Sequence, residues 1–161
     1  AGNITTTILL GNSILCLDEH PNAMEAIRSD LSLLPSTIEE VLRYRPPFTG
    51  MLRVTTTDVA LRGITIPARQ MVTTWILSAN YDEQQFSDPE RFNIRRYPNR
   101  HQAFGHGIHY CLGAPLARLE ARIALEILLK RFPGLSRKPD REVVPHESIY
   151  VLGVKNLPVT W

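Results

Sequence analysis

The residues best suited to chemistry lie in one short segment, Phe104 to Gly113, which reads FGHGIHYCLG. Gly105 and Gly107 let the backbone approach a flat ligand closely. Cys111 stands just before a run of apolar periodicity that predicts a long helix. The partial positive charge at a helix N-terminus favours a thiolate over a thiol. Phe104, seven residues upstream, is placed to shield the sulfur from water.

A cysteinate ligand of an iron porphyrin has these requirements. Two other interpretations compete with it. A lone cysteine beside a glycine turn is often a buried thiol. A structural zinc site needs four ligands, of which Cys111 and His109 supply two. The second cysteine, Cys16, lies in an apolar run and is predicted to be a buried core thiol.

The composition of the chain limits which other classes of protein it can belong to. The chain has 161 residues, 43% of them hydrophobic and 21% charged, with two cysteines and a net charge of +2. These values fit a globular protein and exclude a disordered tail, a collagen-like repeat and a disulfide scaffold. The net charge gives no argument for nucleic acid binding, and no apolar run approaches the length of a membrane span. We therefore expect a cytoplasmic protein with no membrane partner.

The elements that must position Cys111 are mainly helical, with small antiparallel β-sheets. Residues 1–18 predict a helix, and a second runs from Pro21 to about residue 30. Residues 36–40 resemble a capping box that opens a third helix. β-Branched residues with Gly and Pro punctuation predict a small antiparallel sheet over residues 51–77, and residues 143–161 are also strand-like.

A long irregular segment covers residues 81–110, and such loops are uncommon unless they are functional. The clearest helix follows it, over about residues 112–132. Its apolar residues recur at spacings of three and four and predict one apolar face. That predicted face comprises Leu112, Leu116, Leu119, Ile123 and Ile127.

The string F-x-x-G-x-x-x-C-x-G, at Phe104, Gly107, Cys111 and Gly113, resembles the haem loop of the cytochromes P450. Residues 104–118 resemble the bacterial soluble members in particular. The resemblance implies the cytochrome P450 fold, incomplete, from the oxygen-binding helix to the C-terminus. Residues 1–161 would then form the C-terminal part of one domain whose upstream part is absent. The chain opens without an initiator Met, as if inside a helix.

Two further segments match the family. Glu40 and Arg43 match its E-x-x-R pair, whose members share a helix face at this spacing. Residues 89–92, PERF, match its meander motif. The resemblance implies that Arg91 joins Glu40 and Arg43 in a structural triad.

The implied cofactor is haem b, with Cys111 as the axial ligand to iron. Arg53 and His109 match the family's contacts to the haem propionates, and an arginine suits a carboxylate. The full set of implied cofactor-binding residues is Cys111, His109, Arg53, Phe104, Gly105, Gly107, Gly113 and Ala1.

Residues 1–6 match the oxygen-binding helix, usually A-G-x-[DE]-T-T. The implied catalytic residues are Gly2, Asn3 and Thr5: the glycine lets the helix open, and the threonine helps to deliver protons. Ile4 stands where the family usually has Asp or Glu, and its side chain cannot transfer a proton. Either Asn3, Thr5 and water suffice, or the protein works slowly, uses peroxide or is specialised.

The family topology also implies residues that face the substrate and an electron donor. Ala1 and Thr5 lie over the haem, and the implied substrate-binding residues are Phe48, Thr49, Met51, Ile149 and Tyr150. A basic surface flanking the Cys loop suits a ferredoxin-type donor, although a solvated polar loop would have the same composition. The residues of that predicted surface are Arg95, Arg96, Arg100, His106 and Arg118.

The predicted activity is that of a haem-thiolate monooxygenase, which inserts one oxygen atom from O2 into a small, mostly hydrophobic molecule. A peroxide-driven peroxygenase is the alternative among haem enzymes. A third alternative is that residues 1–161 alone are a non-catalytic haem-binding or interaction module, because an isolated fragment of such a domain would be inactive.

Overall fold

The computed structural model describes residues 2–161, so the predicted contacts of Ala1 lie outside the described residues. The α-helices are α1 (Ile4–Glu19), α2 (Pro21–Ser29), α3 (Leu34–Tyr44), α4 (Ile76–Asn80) and α5 (Ala114–Arg131). The strands are β1 (Gly50–Val54), β2 (Val59–Leu61), β3 (Ile64–Ile66), β4 (Met71–Trp75), β5 (Ser136–Arg137), β6 (Val144–Pro145), β7 (Val154–Asn156) and β8 (Val159–Thr160). The predicted class, helical with small antiparallel sheets, is confirmed.

The sheets are all two-stranded in the described part of the chain. The one sheet predicted over residues 51–77 is two: β1 pairs with β4, and β2 forms a separate hairpin with β3. Near the C-terminus β5 pairs with β8 and β6 with β7. The sheets are thus too small to form a hydrophobic core of their own, and the core is formed mainly by the helices.

Helix α3 begins earlier than the predicted capping box. Asp30 accepts a hydrogen bond from the Ser32 backbone N–H at 3.0 Å and starts a 3-10 turn, Leu31–Leu33, that leads directly into α3. The Ser36 hydroxyl instead donates to the Leu33 carbonyl at 3.0 Å. The capping-box prediction is therefore wrong, because the chain is already helical where Ser36 stands.

Helices α1, α3 and α5 pack against one another, and fully buried Leu17, Ile38 and Leu125 lie in the core they share. Asn12 of α1 is also buried. Its side-chain amide donates to the carbonyls of Arg45 at 2.9 Å and Leu152 at 2.8 Å. These two bonds hold α1 to the end of α3 and to the C-terminal segment.

The apolar stripe predicted for α5 lies on its outer face. Leu112, just before the helix, is 98% exposed, and Leu116, Leu119, Ile123 and Ile127 are 44–55% exposed. The buried residues of α5 are Ala114, Ala121, Leu125 and Leu129. The helix thus has two apolar faces, and the one that packs in the core is not the predicted stripe. Among the described residues, no helix is both long and apolar enough to cross a membrane.

Candidate functional site

The Cys111 loop, residues 104–113, is folded by backbone hydrogen bonds. The Cys111 N–H donates to the Phe104 carbonyl at 2.9 Å, and the Tyr110 N–H donates to Gly107 at 3.0 Å. Gly105 and Gly107 have φ of 73° and 70°, left-handed values that a side chain would strain. The two glycines therefore serve the conformation of the loop, which closes on itself and presents Cys111.

Cys111 is exposed, and so are its apolar neighbours. Ile108 is 97% exposed and Leu112 is 98% exposed. Gly113 is the N-cap of α5, and the Ala114 N–H donates to the Cys111 carbonyl at 3.2 Å. Cys111 thus lies two residues before the N-cap of an 18-residue helix, next to its N-terminal end.

These residues fit a haem group. Across residues 2–161, no group of three or more His, Cys, Asp or Glu side chains could hold a metal ion. A single soft sulfur donor suits a metal that arrives with its other ligands, as iron does in a porphyrin. The exposed apolar rim of Ile108 and Leu112 suits the face of such a macrocycle.

Cys16 provides a contrast within the same chain. It is fully buried, and burial raises the pKa of its thiol to about 12. A thiol in that environment stays protonated and inert. The prediction of a buried core thiol is therefore confirmed.

The structure places the other predicted cofactor residues as follows. His109 ends a 3-10 turn, Gly107–His109, and is exposed. Arg53 lies on β1 opposite Val72, also exposed, and donates to the Leu52 carbonyl at 2.8 Å. Both side chains are exposed, and their role toward haem stays a prediction.

The predicted catalytic residues lie at the start of α1. Gly2 has φ of 85°, and Asn3 is the residue that precedes the helix. Thr5 is half-buried in the first turn, whereas Ile4 is 67% exposed. The Thr7 hydroxyl donates to the Asn3 carbonyl at 3.1 Å. At least one of the three consecutive threonines at residues 5–7 therefore has its hydroxyl bonded to the helix backbone.

The predicted substrate residues are partly brought together. Thr49 and Ile149 line an open cleft of about 550 Å³ with Trp75 and Leu77. The Thr49 hydroxyl donates to the Ile149 carbonyl. Tyr150 stacks on Trp75, with ring centroids 5.9 Å apart.

Two members of the predicted substrate set lie elsewhere. Phe48 pairs with Val151 in an isolated bridge, and Met51 lies on β1 opposite Thr74. Neither lines the cleft. Sequence position alone could not separate them from Thr49, because the cleft is formed where the two chain segments cross.

The structural triad needs one correction. Glu40 and Arg43 are both fully buried, and Arg43 donates to the two carboxylate oxygens at 2.9 and 2.8 Å. The third side chain is Arg96, whose Nε lies 3.1 Å from Glu40. Arg91, the predicted third member, has an exposed side chain and contributes its backbone carbonyl, which accepts from Arg43 at 3.2 Å.

The prediction failed at Arg91 because the meander turns between the two arginines. Asn93 donates its backbone N–H to Glu40 at 2.8 Å, which brings Arg96 inward. The Asn99 amide also donates to Glu40, at 3.1 Å. Loop amides such as Asn99 have no spacing signal, so sequence reasoning missed it.

Arg96 is consequently not part of a basic surface. Its side chain is 7% exposed. Arg118, another member of the predicted surface, is paired with Glu39 at 2.7 Å and is 35% exposed. Arg95, Arg100 and His106 are exposed. The predicted basic surface is thus reduced to three residues and a partly neutralised fourth.

Comparison with known proteins agrees with this geometry. The model of the family described as Cytochrome P450 matches residues 1–159. An erythromycin C-12 hydroxylase from Saccharopolyspora erythraea is 50% identical over an alignment 161 residues long, which covers 99% of this chain and 41% of that protein. A cyclomarin C epoxidase, CymV, from Salinispora arenicola is 53% identical over 132 residues, 82% of this chain and 33% of that protein.

Solved structures of cytochromes P450 are also similar to this chain. CYP109E1 from Bacillus megaterium, crystallised with testosterone, superposes with a TM-score of 0.96 at 48% identity. The match covers 99% of this chain and 44% of that one. The chain therefore spans less than half the length of the relatives to which it is similar.

Proposed function

Because the chain belongs to the cytochrome P450 family, we propose that it is the haem-ligating, C-terminal part of a monooxygenase, with Cys111 as the axial ligand. The observation that carries the proposal is the exposed thiol in a glycine-shaped loop with an apolar rim. Members of this family bind haem b through a cysteine thiolate. When bound, that group supplies the activation of O2, with electron donation from sulfur favouring O–O cleavage.

The chain's own residues then have distinct tasks. The Cys111 thiolate would hold the cofactor, and Phe104 supports the loop through its carbonyl, which accepts from the Cys111 N–H at 2.9 Å. The Arg53 guanidinium and the His109 imidazole are fixed donors of the kind that propionate carboxylates need. Gly105, Gly107 and Gly113 shape the loop and the start of α5.

Proton delivery falls to the start of α1. The Asn3 amide and the Thr5 hydroxyl can hydrogen-bond water, as can the neighbouring Thr6 hydroxyl, whereas Ile4 can neither donate nor accept a proton. Gly2, at positive φ, is a position where the backbone changes direction before the helix. We assign this segment the task of holding water and relaying protons toward the side of the cofactor where O2 would react.

The proposed reaction is insertion of one oxygen atom from O2 into a small, mostly hydrophobic molecule. The relatives' names, a hydroxylase and an epoxidase, support that reaction class. The cleft supports the substrate class, because Trp75, Leu77 and Ile149 give it an apolar wall and Thr49 adds one polar group. Phe48, Met51 and Tyr150 stay candidates for contacts in the complete pocket.

We also propose that residues 1–161 form one part of a single, larger domain. The outer face of α5 supports this, because four leucine and isoleucine side chains on it are about half exposed. Contiguous apolar surface of this kind usually lies against other protein. The segment that covers it would be the part of the relatives that this chain does not span.

A ferredoxin-type donor is the proposed source of electrons. Arg95, Arg100 and His106 are exposed near the Cys111 loop in sequence, and positive charge steers an acidic partner. Charge reversal at Arg100 should slow reduction and weaken its dependence on salt. Unchanged reduction rates would contradict this role of the surface.

Ile4 favours a second candidate, a peroxide-driven peroxygenase. Its exposed apolar side chain occupies the position where a titratable group is usual. Peroxide brings the protons that O2 chemistry must obtain from the protein. Faster turnover with peroxide than with O2 and a reductase would support this candidate, and an Ile4→Asp variant should then gain O2-dependent turnover.

The proposed function is tested by the ferrous carbon monoxide spectrum of the full-length protein. We expect the red-shifted Soret band of thiolate ligation in the wild type and in the control Cys16→Ser. Cys111→Ser should lose the band. Its persistence in Cys111→Ser, or its absence from the wild type, would overturn the assignment.

A further inference from the structure

A cluster of five side chains joins α3, α5 and the Cys111 loop, and none of the roles above explains its geometry. Arg118, on the second turn of α5, is at its centre. The Arg118 guanidinium donates to both carboxylate oxygens of Glu39, with Nε–Oε1 at 2.7 Å and Nη2–Oε2 at 2.9 Å. A bidentate pair of this kind fixes the plane of the guanidinium as well as its position.

The rest of the guanidinium faces the loop. Arg118 Nη1 donates to the Tyr110 hydroxyl at 3.2 Å, and Cζ lies 4.5 Å from the centroid of the Phe104 ring. Phe104 is the residue whose carbonyl accepts from the Cys111 N–H. Tyr110 directly precedes Cys111. One side chain therefore contacts both ends of the segment that carries the sulfur.

His101 contacts the Glu39 carboxylate, the group that also pairs with Arg118. Its side chain is 3% exposed, and its Nε2 lies 3.1 Å from Glu39 Oε2. The Ala103 N–H donates to His101 Nδ1 at 3.2 Å, so Nδ1 is an acceptor and the ring proton is on Nε2. The imidazole thus donates to Glu39 in its neutral form, and the contact does not require a charged histidine.

Glu39 stays ionised in this environment. Burial opposes its charge, but the hydrogen bonds from Arg118 and His101 outweigh that effect and lower the pKa of the carboxyl to about 2. The same hydrogen bond to Glu39 raises the pKa of Arg118 above its usual value. The pair is therefore charged at neutral pH and links α3 to α5, two helices that pack together in the core.

We propose that Arg118, held by Glu39 and His101, is a positioning residue that fixes the Cys111 loop for ligation of the haem iron. The inference rests on the proposed function. A lysine could not replace Arg118, because an ammonium is a single point of charge that cannot bridge Glu39, stack on Phe104 and reach Tyr110 together. The loop is thus positioned by the two helices and not by its own backbone alone.

The test uses the chemically reduced, CO-bound full-length holoprotein in mild urea. The readout is the rate at which the red-shifted Soret band gives way to the blue-shifted band of lost thiolate ligation. We expect Arg118→Lys to convert about tenfold faster than the wild type, the factor that loss of one hydrogen bond between charged groups implies. Tyr110→Phe, which keeps the ring, should convert faster by a smaller factor.

The matched control is Arg122→Lys, the same substitution one turn later on an exposed position of α5. It should convert at the wild-type rate. Equal rates for Arg118→Lys and Arg122→Lys would overturn the inference. The inference would also be overturned if Arg118→Lys converted faster only in proportion to a loss of global stability, as measured by far-UV circular dichroism.

Should Arg118→Lys fail to fold, Tyr110→Phe decides, and a wild-type rate there counts against the inference. The proposed function fails separately, when the wild type itself shows no red-shifted band.

Discussion

The Glu40 network, centred on helix α3, and the Cys111 loop treat their polar groups in opposite ways. Glu40 is fully buried, and its carboxylate receives donors from Arg43, Arg96, Asn93 and Asn99. The Cys111 sulfur is exposed, at the end of a helix, among apolar side chains. A charged group whose partners are all internal serves the scaffold, whereas a reactive group left at the surface is available for a ligand.

The largest expected effect comes from breaking the Glu40 network. Glu40→Gln removes the negative charge and leaves Arg43 and Arg96 buried without a counter-ion. We expect the free energy of unfolding to fall by about 3–5 kcal/mol. Urea unfolding measures it, with Glu126→Gln as the control for an exposed carboxylate on α5. A Glu40→Gln protein as stable as the control would contradict the scaffold role.

The two faces of α5 give the next test. Leu125 is fully buried and Ile123 is 46% exposed. We expect Leu125→Ala to cost about 2–5 kcal/mol through transfer and cavity effects. If the remainder of a larger domain covers the outer face, Ile123→Ala in the full-length protein approaches the same cost, whereas the exposed control Lys130→Ala does not. A neutral Ile123→Ala would contradict the proposed domain.

The smallest effect is a pH dependence at Glu39. Its folded pKa is about 2, below the usual value of 4.5. A lowered folded pKa contributes stability above pH 4.5, and this is lost as the pH falls toward 2. Because the pair is about one-third exposed, we expect about 1 kcal/mol. Glu39→Gln should lose that part of the acid dependence, and an unchanged profile would contradict the ion pair.

The sequence predicts the fold class, the Glu40–Arg43 pair and a candidate ligand, Cys111, because each depends on local signals. The Cys111 loop has its glycines, its aromatic residue and the following helix in one short segment. The Glu40–Arg43 pair depends on one helical spacing. Such features can be recognised from a sequence because the residues involved lie close to one another along the chain.

The predictions that were wrong share a physical cause: each depended on where the folded chain places a side chain, which a local pattern does not show. The meander motif predicts Arg91 as the third member of the triad, because a motif does not show which side chain the turn brings inward. The periodicity of α5 predicts one apolar face where the structure has two, because periodicity detects an apolar face and not what covers it. Phe48 and Met51 were grouped with Thr49 because a cleft formed by two crossing segments has no linear signature.

The Glu39–His101–Arg118 cluster illustrates the same point. Its members are 62 and 79 residues from Glu39, and each taken alone is an ordinary polar side chain. Only the folded chain brings Arg118 into contact with both Phe104 and Tyr110.

The most direct test of the central claim is alkylation of the two cysteines in the full-length protein, with and without haem, mapped by mass spectrometry. We predict that iodoacetamide modifies Cys111 in the haem-free protein and not in the haem-bound one, while Cys16 stays unmodified in both. Equal modification of Cys111 in the two states, or protection by haem of Cys16 alone, would contradict the assignment of Cys111 as the ligand.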